Sequence, residues 1–209
     1  MQTYIKFFMV LVLSIGTTGI INAQQGTFSA GLSIEKGNFS LKGNPNGTEL
    51  LGVGRDANKA QSSSIGMGLL LSYGLRDNLD ITYDYSWEYC GEELEDSYFE
   101  IRHDLGARYY PIDGSFRPFV KAAYADYLLE NLKLIDNEVN SIVKTREYNF
   151  EGNGLTYGLG LDISAGNRLS YLLQYSATKL FSFDKTEGSV DFENIPKLSR
   201  FSFAFRIKF

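Results

Sequence analysis

His103 is the only histidine of this 209-residue chain, and Cys90 is the only cysteine. Those two counts remove most site chemistry at once. Zinc, copper and haem centres built from histidine and cysteine clusters have no ligand set here, and no disulfide can form within the chain. A serine hydrolase needs a serine within reach of its histidine. The residues two places either side of His103, which would share its face of a strand, are Ile101 and Leu105. "GVGRDA", Gly52 to Ala57, matches a dinucleotide fingerprint by letters only, because "NKAQSSS" follows where that motif needs a helix. The acidic run "EELED" lacks calcium-loop spacing and reads as a solvated tip. No catalytic, cofactor-binding or metal-binding residue is assigned, and no cofactor is expected.

The charged residues carry a different pattern. Asp80, Asp84 and Glu88 fall on alternate positions of one stretch; Glu100, Arg102, Asp104 and Arg108 do so in the next. Asp162, Arg200, Arg206 and Lys208 continue the pattern, with Lys121 a further candidate. Acids and bases nearly balance. Charges from separate stretches need such balance when they share a confined interior, where an unpaired charge is very costly. A network of this kind either gates or conducts protons along a path, or fills a polar core and seals it. The sealed core is the expectation if the interior is that of eight strands, which side chains just fill.

The elements that must position these charges are strands. "LDITYDYSWEY", Leu79 to Tyr89, alternates large apolar or aromatic residues with polar ones throughout, a period of two. The pattern recurs in Gly26–Ile34, Ser63–Tyr73, Tyr98–Tyr109, Gly152–Ile163, Leu169–Thr178 and Leu198–Phe209. Arg117–Tyr127 completes eight, with its faces unassigned. Long connections at about 35–62, 90–97, 128–151 and 179–197 alternate with short turns such as "GLRDN" and "SAGNR". Short turns at one end and longer loops at the other are the layout of a membrane barrel with both termini on the short-turn side.

The two faces differ in a way that chooses the solvent. One is Leu, Ile, Phe and Tyr, with Trp87 and many tyrosines near strand ends, as in a membrane-interface girdle. The other is small or ionic, with Gly31, Gly66, Gly68, Gly106, Gly158 and Gly160 beside the charges. A water-facing strand surface would avoid so many glycines. The apolar face therefore points to lipid and the charges to the lumen. The first 23 residues read as a secretory signal peptide: Lys6, then "FFMVLVLSI", then cleavage after Ala23. The apolar run is too short to span a bilayer. Residues 24–209 suit one domain. A net charge of −5 with no basic cluster argues against a nucleic-acid partner.

With its signal peptide, eight amphipathic strands and last strand "FSFAFRIKF" closing on Phe209, the chain resembles the small eight-stranded outer-membrane barrels. That family includes the OmpA membrane domain and OmpX. The resemblance is architectural and implies an all-β, eight-stranded antiparallel up-and-down transmembrane β-barrel surrounded by outer-membrane lipid. It also implies that Phe209 is read by the barrel assembly machinery. Some small outer-membrane barrels modify lipids with a His and Ser two apart on a strand, which this chain lacks. The expected function is non-enzymatic: a barrel closed to solutes that meets a surface or envelope partner through its loops or supports the envelope. The alternatives are a lipid-modifying enzyme, or a binder or conduit of a small hydrophobic ligand, which an apolar inner cluster near Leu70 and Leu172 would favour.

Overall fold

In the computed structural model the chain is a single sheet closed on itself. The structure describes residues 26–42, 48–50, 59–90, 98–136, 144–185 and 197–209. The segment read as a signal peptide, "GVGRDA" and "EELED" lie outside the described residues. The strands are β1 (Phe28–Lys42), β2 (Thr48–Leu50), β3 (Lys59–Arg76), β4 (Leu79–Cys90), β5 (Tyr98–Tyr109), β6 (Phe116–Asp136), β7 (Lys144–Ser164), β8 (Leu169–Lys185) and β9 (Lys197–Lys208). Eight of them are the staves, in the order β6-β5-β4-β3-β1-β9-β8-β7, and β6 pairs with β7 to close the barrel. β2 is a short strip antiparallel to the far end of β6, with Thr48–Leu50 against Leu134–Asp136.

The register sets the tilt. Starting at Asp126, the cross-strand partners run His103, Tyr85, Leu69, Leu32, Phe205, Tyr171, Ile163 and Phe116. One circuit therefore returns to β6 ten residues before its start. With a rise of ~3.3 Å per residue and strands ~4.8 Å apart, that stagger corresponds to a tilt of about 40°. The short turns lie at one end with the start of β1 and the end of β9, and the turn after β7 uses Gly166 at φ 90°, a conformation open to glycine.

The inside-out alternation is as expected. On β4, Thr82, Asp84, Ser86 and Glu88 are buried, while Ile81, Tyr83, Tyr85, Trp87 and Tyr89 face out. β6, whose faces the sequence left open, turns Phe119, Lys121, Ala123, Ala125, Tyr127 and Leu129 inward and Phe116, Val120 and Tyr124 outward.

The strands are longer than the alternation indicated, and this is a correction. The intervals 35–62, 128–151 and 179–197 were expected as loops. Instead β1 continues to Lys42, β3 begins at Lys59, β6 and β7 extend to Asp136 and from Lys144, and β8 reaches Lys185. The cause is local. Beyond the lipid the alternation inverts, with Phe39, Leu129 and Phe150 turned into the lumen and Asn38, Glu130 and Glu151 outward, so the apolar-outward pattern stops there while hydrogen bonding along the ladder continues.

The outward apolar band gives way at Lys36 on β1, Lys179 on β8, Asn153 on β7 and Asp126 on β6. It is roughly 20 Å tall along the barrel axis, close to the outward band of known membrane barrels. A closed ladder has no strand edge for detergent to open. Unboiled protein in dodecyl sulfate is therefore expected to migrate apart from the boiled protein on a gel. Identical mobility of well-folded material would contradict closure.

Candidate functional site

The lumen is built in layers. Nearest the short turns, the Arg206 guanidinium binds the Asp162 carboxylate and donates to Ser170 Oγ at 3.1 Å and Ser72 Oγ at 3.2 Å. Asp80 completes this level, 3.7 Å from Arg206 and accepting from Tyr110 Oη at 3.0 Å. Above it, Leu70, Phe119, Leu172 and Ala204 pack with the Tyr110 ring into a buried apolar layer. The apolar inner cluster near Leu70 and Leu172 is thus present. It is filled by its own side chains, Leu172 being 0% exposed and the Tyr110 and Phe119 rings lying 5.7 Å apart.

The ion networks come next, and strand register explains their composition. Asp84 of β4 stands directly opposite Asp104 of β5, and Glu88 opposite Glu100. Like charges in direct register repel. Each pair is held by a cation from elsewhere in the wall. Lys121 Nζ donates to Asp84 and to Asp104, both at 2.8 Å. Arg108 adds two bonds to Asp84 at 3.0 and 2.8 Å, and Arg102 lies 3.2 Å from Asp104. Thr156 and Thr178 complete this level, donating to Asp104 and accepting from Arg102 at 3.0 Å each. Arg200 serves the second pair: it contacts Glu88, approaches Glu100 at 3.1 Å, and reaches Glu35 of β1 at 2.7 Å. Ser33 donates to Glu35 at 2.7 Å, Ser64 donates to Glu88, and Ser86 accepts from Arg200. The space these side chains occupy is left by glycine. A Cβ on Gly37 would meet Ser64 Oγ and Glu88 Oε2, and one on Gly68 would lie 2.7 Å from Glu35 Oε1. Beyond Arg200 a second apolar layer follows, with Phe39, Tyr98, Tyr127, Leu129, Phe150, Leu180 and Leu198 all buried.

Asp80, Asp84, Glu88, Glu100, Arg102, Asp104, Arg108, Asp162 and Arg206 all point into the lumen, and the ion pairs divide them among separate levels. Lys121 joins them. Lys208, at the end of the last strand, is only half-buried. Glu35 was missed, because the first strand was ended at Ile34. The signal was available: Gly31, Ser33, Glu35 and Gly37 continue the small-or-polar alternation.

His103 faces the opposite way. It lies on the outer surface, with Tyr83 Oη 2.7 Å from its Nδ1 and the Tyr85 ring at 5.1 Å, beside Asp126 across the β5–β6 ladder. The level is the upper edge of the apolar band, where amphipathic rings are favoured. Cys90 is buried in the lumen, just beyond Glu88.

What this arrangement can do chemically is limited. Every lumen carboxylate lies among cations or hydroxyls of the wall, and an apolar layer stands on either side of the Asp84–Asp104 and Glu88–Glu100 networks. Among the described residues no group of three or more His, Cys, Asp or Glu is placed to hold a metal ion.

Comparison with known proteins agrees with this geometry. The family model described as outer membrane protein beta-barrel domain matches residues 8–209. No curated protein matches the chain. Among solved structures, the chain is similar to Ail, the attachment invasion locus protein of Yersinia pestis, at 13% identity and a TM-score of 0.54, covering 88% of this chain and 99% of that one. Neisserial surface protein A gives 12% identity and a TM-score of 0.55 over 88% and 100% of the two chains. OprG from Pseudomonas aeruginosa gives 16% and 0.51 over 91% and 99%. At such identities the likeness is one of fold.

Proposed function

The chain belongs to the outer membrane protein β-barrel domain family, and from that premise we propose that it is a non-enzymatic outer-membrane barrel, closed to solutes, that acts through its surface-exposed end. The observation that carries this reading is the lumen. Paired charges fill its middle, apolar layers around Leu172 and around Phe39 flank them, and the Arg206–Asp162 pair lies toward the short turns. A water-filled path would have to part both layers and expose buried ion pairs, and eight strands leave little room for either. Contact with a surface or envelope partner is supported by the rim, which is uneven among the described residues. β6 and β7 stay paired as far as Asp136 and Lys144, while β5 begins at Tyr98 and β9 at Lys197. The far part of the β6–β7 pair, with β2 laid along it, offers backbone beyond the membrane.

The test of closure is electrical. Purified protein in a planar bilayer is expected to give at most rare, small events. Stable ion-selective channels of porin size would refute the reading.

Phe209 enters the same proposal as the mark by which the barrel assembly machinery takes up the chain. Its backbone N–H donates to Phe28 O at 2.8 Å, its ring lies 6.1 Å from that of Phe28, and 75% of its surface is exposed. Deleting it removes one interfacial side chain from the seam, so refolding into detergent is expected to survive. In cells the same deletion is expected to reduce heat-modifiable protein in the outer membrane sharply, with Phe209→Tyr near wild type. Normal assembly of the deletion would remove the recognition role.

A further inference from the structure

At the level where the outward apolar band ends, the described charges are unevenly distributed around the barrel. Lys36 of β1, Lys179 of β8 and Lys197 of β9 are exposed on three neighbouring strands. The outward carboxylates Asp126, Glu130 and Glu151 lie on β6 and β7. Lys179 and Lys197 are direct cross-strand partners. Two like charges so placed repel unless an anion lies between them. Lys36 stands on the adjacent strand, two residues past Ile34, the last apolar outward residue of β1. It is paired with Phe201, which is 52% exposed just inside the band. The ammonium groups are thus carried at headgroup height, above an aromatic floor at acyl height.

We propose that the outward face of β8, β9 and β1 binds a phosphate-bearing lipid of the outer leaflet, with Lys179, Lys197 and Lys36 around the phosphate and Phe201 against the acyl chains. Charge complementarity and depth identify this occupant together. A soluble anion would not need the apolar surface beneath, and a neutral lipid would leave Lys179 facing Lys197. Long flexible lysines suit the role because their stems lie along the apolar wall while the heads stay in the polar layer. The inference rests on the outer-membrane location of the barrel and is independent of whether the lumen is sealed.

The experiment is lipid retention in detergent, followed by native mass spectrometry. Heat-shifted, folded protein is titrated with a short-chain phosphatidic acid, or with the diacylglycerol of the same chains. Wild type is expected to retain the phosphatidic acid and not the diacylglycerol. At about fivefold per lysine, the Lys36→Gln, Lys179→Gln, Lys197→Gln triple variant is expected to bind on the order of 100-fold more weakly. Asp126→Asn, at the same height on the far side, is expected to bind as wild type does. The proposal is overturned if the folded triple variant binds phosphatidic acid as tightly as wild type, or if the diacylglycerol is retained equally. Displacement by equimolar inorganic phosphate would assign the lysines to a soluble anion and overturn it too. So would lysine-dependent dimers in lipid-free detergent, which would assign the face to a second copy of the chain.

Discussion

Arg200→Met is expected to cost the barrel about 3–5 kcal/mol, the loss typical of removing one partner from a buried ion pair. Methionine fills much of the same volume, so the effect isolates charge. Arg200 is 4% exposed and is the cation set among Glu35, Glu88 and Glu100, two of which face each other directly across the β4–β5 ladder. Without it those carboxylates repel in a space that water does not reach. An exposed salt bridge would contribute only ~0–1 kcal/mol, so the two cases are well separated. Urea titration of the protein folded into lipid vesicles provides the measurement. Its companion is the Arg200→Met, Glu88→Gln, Glu100→Gln triple variant, which removes the repelling charges and is expected to recover most of the loss. A single variant within ~1 kcal/mol of wild type would mean that the guanidinium does not hold this level of the lumen. A triple variant as unstable as the single one would mean that shape, and not charge, is at issue.

Ile81→Arg is expected to cost about 2–4 kcal/mol, the range for a cation near the midplane on the lipid face of a barrel. Ile81 lies outward on β4, between Tyr73 of β3 and Ala107 of β5, about halfway up the apolar band. Its neighbour Thr82 points inward and is 1% exposed. Thr82→Ala removes a hydroxyl that makes no hydrogen bond, so its cost is expected to stay below ~1 kcal/mol. Adjacent residues with opposite consequences make this a test of which face meets which solvent. Folding titrations into vesicles of both variants decide it. If Thr82→Ala were the more damaging, the strand would be inside out.

How far the chain could be read follows from where a strand's two faces meet different solvents. Across the lipid they do, and there the period of two was enough. It placed Asp80, Asp84 and Glu88 on one face of β4 and Ile81, Tyr83 and Trp87 on the other. It counted eight staves, and the alternation of long and short connections closed them in the right order. Past the lipid that contrast inverts, with Phe39, Leu129 and Phe150 inside and polar residues outside. "LLENLKLID" and "KTREYNF" therefore read as loop although they continue β6 and begin β7, and Glu35 was lost with the end of β1. The same boundary explains β2, three residues with no periodic signal, held by pairing with Leu134–Asp136.

Alternation along the chain thus determined the all-β class, the facing of the membrane-spanning residues and the identity of most lumen charges, because a side chain's face depends only on its parity within its own strand. Tertiary structure alone decided who pairs with whom. Asp80 is the ladder partner of Arg108, yet Arg108 turns to Asp84 while Asp80 accepts from Tyr110 and faces Arg206 from β9. Lys121 and Arg200 reach Asp84–Asp104 and Glu88–Glu100 from other strands, and Leu70, Phe119 and Leu172 of β3, β6 and β8 join one apolar cluster. These contacts depend on closure and on the ten-residue stagger, which together set the height at which each side chain enters the lumen. Neither quantity is a property of any one strand, so no local pattern could carry it.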